Sequence, residues 1–188
     1  VLPLFLILMN LHAFSQTDTN LALYKTTSQS STHGDAKSFR AVDGYAGGAF
    51  SDNSVTHTKP NLITANDDLH VWWQVDLGDV YEISRVEVYN RTDCCSERLD
   101  GAKIFLSAST TYYINQQLGE PLTGSKDVQI RRIDPGKRYA RYVRIHLTGN
   151  RKVLSLAEVK VFGRSPVDVP PPSQENVALG KTTSQSTT

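Results

Sequence analysis

The chain has 188 residues and a net charge of +1; 39% of it is hydrophobic and 21% charged. That balance excludes a disordered polyelectrolyte and gives no reason to expect a nucleic-acid partner, which would call for a strongly basic surface. The length allows one ordinary domain with tails, or two small ones, with enough apolar residues for a real core.

The chain opens on "VLPLFLILMNL", an apolar run too short to span a bilayer, which takes about 20 residues. Small residues follow at Ala13 and Ser15, the kind of site a signal peptidase cleaves. Residues 1–15 therefore read as the remnant of a secretory signal, with an ordinary buried strand or helix as the alternative. Secretion predicts an extracellular protein, no membrane insertion and an oxidising compartment.

"NLALYKTTSQSST" at 20–32 returns as "NVALGKTTSQSTT" at 176–188, with ten of thirteen positions identical. The spacing is a domain length, not the 20–50 residues of a solenoid. "RSPVDVPPPSQE" at 164–175 lies between the copies, and its prolines favour a stiff, extended linker. The expected organisation is one unit over 20–163, a linker over 164–175 and the opening of a second unit over 176–188, hence a tandem array.

Inside the unit, apolar and polar residues alternate in "WWQVDL" (72–77), "ISRVEVYN" (83–90), "AKIFLSA" (102–108), "YVRIHL" (142–147) and "AEVKVFG" (157–163). In the second of these, Ile83, Arg85, Glu87 and Tyr89 are expected on one face and Ser84, Val86 and Val88 on the other. The clusters "DGYAGG", "LGD", "DPGK" and "TGNRK" mark turns between them. The basic stretch "RRIDPGKRYARYVR" (131–144) reads as a turn and the solvated face of a strand. Short strands, long loops and no amphipathic helix predict an all-β fold, an antiparallel sandwich or jelly roll whose site lies on loops at one end.

The sequence has two cysteines, and they are neighbours in "NRTDCCSER". A bridge between Cys94 and Cys95 closes too small a loop to restrict the unfolded chain much. What it offers is a rigid local knuckle with an exposed sulfur surface, suited to a small apolar group such as a sugar methyl. Two free thiols, or two bridges to other chains, are the alternatives; a cysteine pair alone is a poor zinc signal. Arg91 and Arg98 flank the knuckle, with Asp93 and Glu97 between them. Arginine forks match vicinal hydroxyls, and Asp93 could hold a guanidinium in place before ligand arrives. The bland alternative is a surface salt-bridge loop worth ~0–1 kcal/mol. Asn90-Arg91-Thr92 is also an N-glycan acceptor sequence.

"RTDCCSER" resembles the signature of the F-type lectins, or fucolectins. "NLALYKTTSQSS", "AVDG" at 41–44, "WWQVDLG" at 72–78 and "LAEVKVFG" at 156–163 resemble the family's other landmarks, so the likeness covers about 20–163. The frame without the cysteine loop is shared with the wider discoidin-like domains. The resemblance implies that Arg91 and Arg98 hydrogen-bond fucose hydroxyls and the ring oxygen. It makes Asp93 the acid that orients them, and Cys94–Cys95 a vicinal disulfide packed on the sugar. The family histidine, a donor to the axial hydroxyl, matches His57 in "SVTHT" or its rival His70; His33 lines the rim. The stretch from His57 to Trp72 is longer than the family's usual run. Many relatives carry a long-range disulfide at positions that are Val55 and Ala157 here, a paired replacement by apolar packing.

The resemblance also implies a structural Ca²⁺. The carbonyls of Arg40, Tyr45 and Ala157 would hold it with Asp43, Ser54 and Glu158, an oxygen-only set that suits the ion. The implied function is a secreted, non-catalytic lectin for terminal α-L-fucose on glycans. Tandem units, or a homo-oligomer, would make it multivalent in the manner of agglutinins and innate recognition proteins. A discoidin-like adhesion module for phospholipid or protein is the alternative, with Leu62-Ile63 as its apolar loop tip. An enzyme has no nucleophile, zinc or phosphate motif to support it.

Overall fold

The structure is a computed structural model, and it describes residues 19–60, 70–110 and 116–164. Among these the chain forms β1 (Thr19–Asn20), β2 (Thr26–Gln29), β3 (Thr56–His57), β4 (His70–Tyr89), β5 (Lys103–Ser107), β6 (Val128–Arg132), β7 (Tyr139–Thr148), β8 (Ser155–Leu156) and β9 (Glu158–Arg164). The helical elements among the described residues are three short 3₁₀ turns, at Ser38–Val42, Phe50–Asp52 and Ser96–Leu99. The expected all-β antiparallel architecture is what the chain adopts.

The 20-residue β4 organises the fold. Its first half alternates Val71, Trp73, Val75 and Leu77 inward, all essentially buried, against half-exposed His70, Trp72, Gln74 and Asp76. This half pairs with β2 on one side and β7 on the other, and β7 pairs on with β5. The second half pairs with β9 and β6, and β9 carries β1. One strand thus serves two groups of neighbours. Its inward side chains, with Val143, Ile145 and Leu147 of β7 and Val159 and Val161 of β9, form one core. A fully buried side chain of this size is worth about 1.5–3 kcal/mol, so this core carries the stability of the domain.

Three expectations are corrected here. The "LGD" turn does not separate two strands: β4 runs continuously through Gly78, where φ of +93° suits glycine. Nor does Ile83 share a face with Arg85. The pairing with β9 slips between Ile83 and Arg85, a β-bulge that absorbs Ser84 and returns Ile83 to the core beside Val86 and Val88. Arg164, assigned to the linker, is instead the last residue of β9. The readings of residues 1–15, of the rest of 164–175 and of 176–188 lie outside the described residues. So does the Leu62-Ile63 tip.

A two-stranded ladder of β3 and β8 sits apart from the large sheet. Its register sets Thr56 opposite Leu156 and His57 opposite Ser155. Val55 and Ala157 are both fully buried, as apolar packing at that position requires. Thr58 and Leu154 extend the ladder with two more bonds, of 3.0 and 2.9 Å. This ladder fixes His57 and the residue-149–153 turn beside one another.

Candidate functional site

The loop after β4 is built around Asn90, which is 2% exposed. Its backbone N–H donates to the Asp127 carbonyl at 2.7 Å. Its side-chain nitrogen donates to Ser96 O at 3.1 Å and Gly124 O at 3.4 Å, while its side-chain oxygen accepts from Arg91 N–H at 2.8 Å. Asn90 therefore ties together both ends of the 91–96 loop. The nitrogen that a glycan would occupy is buried and donating, so the acceptor sequence is closed in the folded chain. Gly124 permits the approach: a methyl group there would stand 2.7 Å from Glu97 N.

On this loop Arg91, 8% exposed, makes a forked ion pair with Asp93, at 2.6 Å from Nε and 3.0 Å from Nη2. The guanidinium holds the Asp93 carboxyl down at about 2, helped by a Phe50 N–H. The guanidinium carbon also lies 4.7 Å from the Phe50 ring centre, a cation–π contact that fixes its plane. Cys94 and Cys95 are bridged, with Cα atoms 3.8 Å apart. Cys94 is exposed and Cys95 half-buried. Cys95 takes φ of +58°, the left-handed region that a side chain enters at a cost, and begins the 3₁₀ turn that carries Arg98.

Arg98 reaches a different strand. Its Nη1 donates to His57 Nε2 at 2.8 Å. His57, 7% exposed, donates from Nδ1 to the Thr58 carbonyl at 2.7 Å. A carbonyl can only accept and a guanidinium can only donate, so the neutral imidazole carries its proton on Nδ1 and offers a lone pair at Nε2. Burial lowers the His57 pKa, and Arg98, His33 and Arg91 push it the same way against the Thr58 carbonyl. His33 lies 4.8 Å from His57 ring to ring, and Phe50 meets its edge at 5.8 Å. His33, Phe50, His57, Arg91 and Arg98 thus gather around one imidazole. His70 does not join them: it bonds Thr148 at 3.1 Å and stacks edge-on with His146 at 4.4 Å on the β4–β7 ladder.

Sequence reasoning missed Phe50 and the role of Asn90. Phe50 is the one large apolar residue in "AGGAFSD", and that was its only signal. Gly48 just before it accepts from Thr92 N–H at 3.0 Å, and a methyl group there would sit 2.8 Å from that same nitrogen. The glycine therefore lets the Phe50 segment dock on the arginine loop.

The residues matched to a metal lie on the 40–54 segment and at 157–158. Glu158 is fully buried; its Oε1 accepts from Gly44 N–H at 3.2 Å, while its Oε2 is buried without a hydrogen-bond partner. Burial, then the Asp43 carboxylate, pushes Glu158 up to about 7. Asp43 accepts from Tyr45 N–H at 2.8 Å. The Ser54 hydroxyl donates to the carbonyls of Gly47 and Ala49. The Arg40 side chain reaches Val55 O and Asn53 Oδ1, and the Ala157 N–H donates to Tyr89 O. Among the described residues there is no cluster of three or more His, Cys, Asp or Glu side chains. Any cation here would depend on two carboxylates supplemented by carbonyl and hydroxyl oxygens.

Residues 40–145 match the family model described as NedA-like, galactose-binding domain. Fucolectin-1 of Anguilla japonica is 34% identical over 133 residues, 68% of this chain and 68% of that protein. The lectin domain of lectinolysin complexed with Lewis B antigen superimposes with a TM-score of 0.68 at 32% identity, covering 78% of this chain and 98% of the other. A Streptococcus pneumoniae fucose-binding module gives a TM-score of 0.67 at 32% identity, covering 78% and 99%.

Proposed function

This chain belongs to the F-type fucolectin family, within the discoidin-like superfamily, and on that premise we propose that it is a secreted lectin for terminal α-L-fucose. The observation that carries the proposal is the convergence of Arg91 and Arg98 on His57 beside the exposed Cys94–Cys95 bridge. The guanidinium of Arg98, oriented by its bond to His57 Nε2, would donate to one face of vicinal hydroxyls. The resemblance gave His57 as a donor to the sugar; with its Nδ1 proton held by Thr58 and its Nε2 lone pair by Arg98, it would instead orient the Arg98 guanidinium. Arg91, already clamped by Asp93 and Phe50, would meet the sugar with little further ordering to do. The bridge and Phe50 supply apolar surface for the ring and its methyl. No bond of the sugar is made or broken.

A Ca²⁺ fits the Asp43–Glu158 corner. A buried carboxylate oxygen without a partner is costly, and a hard cation is what a set made only of oxygens would take. Asp43, Ser54 and Glu158 would hold it, with the carbonyls of Arg40, Tyr45 and Ala157. The ion would supply charge neutralisation and hold the 43–54 segment, which also bears Phe50. Individual sites of this kind are shallow, and the repeat of residues 20–32 at 176–188 supports a multivalent array, in which linked weak sites gain avidity.

The test is a glycan array probed with the full chain and with Arg91→Ala. Retention on fucose-terminated glycans, lost in the variant, is expected. Binding that ignores fucose, or phospholipid binding in its place, would remove the proposal.

A further inference from the structure

Arg98 has a second face. Beyond His57 it lines a shallow cavity of about 290 Å³ together with Glu97, Arg151, Lys152 and Val153. The charges of this lining are three cations and one acid. The floor is apolar, since Val153 is nearly buried. The cavity therefore shares a wall, Arg98, with the proposed fucose pocket.

The turn that brings Arg151 and Lys152 here is rigidly specified. Leu154 is tied to Thr58, the residue next to His57, by two hydrogen bonds. Gly149 takes φ of +129°, and the Lys152 chain lies across it, 3.0 Å from where a Cβ would stand. Arg151 itself holds φ of +53°. An arginine in the left-handed region is uncommon; glycine or asparagine would sit there at less cost. The fold thus accepts backbone strain to place an exposed guanidinium at the rim of a cavity beside the sugar pocket.

We infer that the Arg98–Arg151–Lys152 cavity is a subsite for an anionic substituent, a sulfate ester or a carboxylate, on the sugar next to the fucose. This rests on the fucose reading of the adjoining pocket. Arginine and lysine suit such groups because their hydrogen bonds to an anion are charge-assisted, and a guanidinium can meet two oxygens at once. Glu97 leaves the lining with an excess of two positive charges and offers an acceptor to a neighbouring hydroxyl. A neutral fucosylated glycan would fill the first pocket and leave the second to water.

The experiment is a calorimetric titration of the full chain with four probes. These are methyl α-L-fucoside, a neutral fucosylated trisaccharide, and the same trisaccharide bearing a sulfate or a carboxylate on the residue beside the fucose. The anionic probes should bind about five- to tenfold tighter than the neutral one, the worth of a partly solvated charged contact. Raising the salt should erode that margin. Arg151→Gln/Lys152→Gln should abolish it while leaving methyl α-L-fucoside affinity within about twofold. Preference for one anionic arm over the other names the substituent. An equal response of both anionic probes and the neutral trisaccharide would overturn the subsite alone, as would a margin that survives in the double variant. Failure of methyl α-L-fucoside to bind the parent chain would overturn the fucose reading and this one with it. If the double variant loses its melting transition, Arg151→Gly is measured instead. It relieves the left-handed backbone, and it should lose the anion margin with no loss of stability.

Discussion

Asp93 and Glu158 are two acids tied to the same 43–54 segment, one through the Phe50 N–H and the other through the Gly44 N–H, and their environments are opposite. Asp93 has a forked guanidinium partner, keeps some exposure and is held down near 2. Glu158 is fully buried, has one oxygen without a partner and is pushed up to about 7. The first corner is electrostatically complete within the chain. In the second, the Asp43 carboxylate works against Glu158, Lys160 offsets it only in part, and Oε2 has no hydrogen-bond partner. The contrast teaches that the proposed sugar pocket is ordered by side chains of the chain itself, whereas at the Glu158 corner the proposed Ca²⁺ would supply the missing charge.

The largest effect expected from breaking the contrast is at Arg91. Arg91→Ala would remove a proposed sugar donor and leave Asp93 and Phe50 without the guanidinium they contact. Truncating one partner of such a pair costs 2–5 kcal/mol, so α-L-fucose affinity should fall about a hundredfold in calorimetry. On the other side, Ca²⁺ at a hundred times its dissociation constant should stabilise the chain by about 2.7 kcal/mol in a melting experiment. Glu158→Gln, which removes the buried charge, should lose that response and be no less stable than the parent without calcium. An equal Ca²⁺ response in both would assign the ion elsewhere.

A smaller effect is expected from reduction. The Cys94–Cys95 bridge spans adjacent residues, so opening it should leave the melting temperature nearly unchanged, whereas long-loop bridges cost 2–5 kcal/mol. Fucose affinity should nevertheless fall severalfold, because the sulfur surface loses its shape. The smallest effect is the pH response, best measured in Glu158→Gln so that this carboxyl does not titrate. The folded pKa of His57 lies below the unfolded 6.5. The unfolded chain therefore takes up a proton first as pH falls through 6.5, and stability is lost from there down to the folded value. Affinity should drop only as pH falls on through the folded value, where the imidazolium no longer accepts from Arg98 and repels its guanidinium. Asp93 adds nothing there: its contribution is present above 3.8 and is lost only as pH falls on toward about 2.

How much of this was legible in the sequence depended on whether a feature was local. Trp73, Val75 and Leu77 announced their strand because period-2 burial needs no knowledge of partners. Ile83 misled, because a bulge one residue later shifts the phase. β6 was missed for a similar reason: its pattern is inverted, with Gln129 buried and Val128 and Ile130 about two-fifths exposed. Gln129 is inside because it bonds Thr123 through both its amide nitrogen and its oxygen. The cysteine loop could be read from its residue types alone. Choosing between His57 and His70 could not, because the choice depends on a ladder between β3 and β8, about a hundred residues apart in the chain. Asn90 presented itself as a glycan acceptor, and its bonds to residues 96 and 124 appear only when the chain is folded.

The central claim is that fucose sits against His57 between the two guanidiniums. It is tested most directly by ¹⁵N NMR of the His57 imidazole during titration with methyl α-L-fucoside. The account predicts an Nδ1–H tautomer before addition and a saturable change at Nε2 that a galactoside does not produce. Saturable fucoside binding with the His57 resonances unmoved would contradict it.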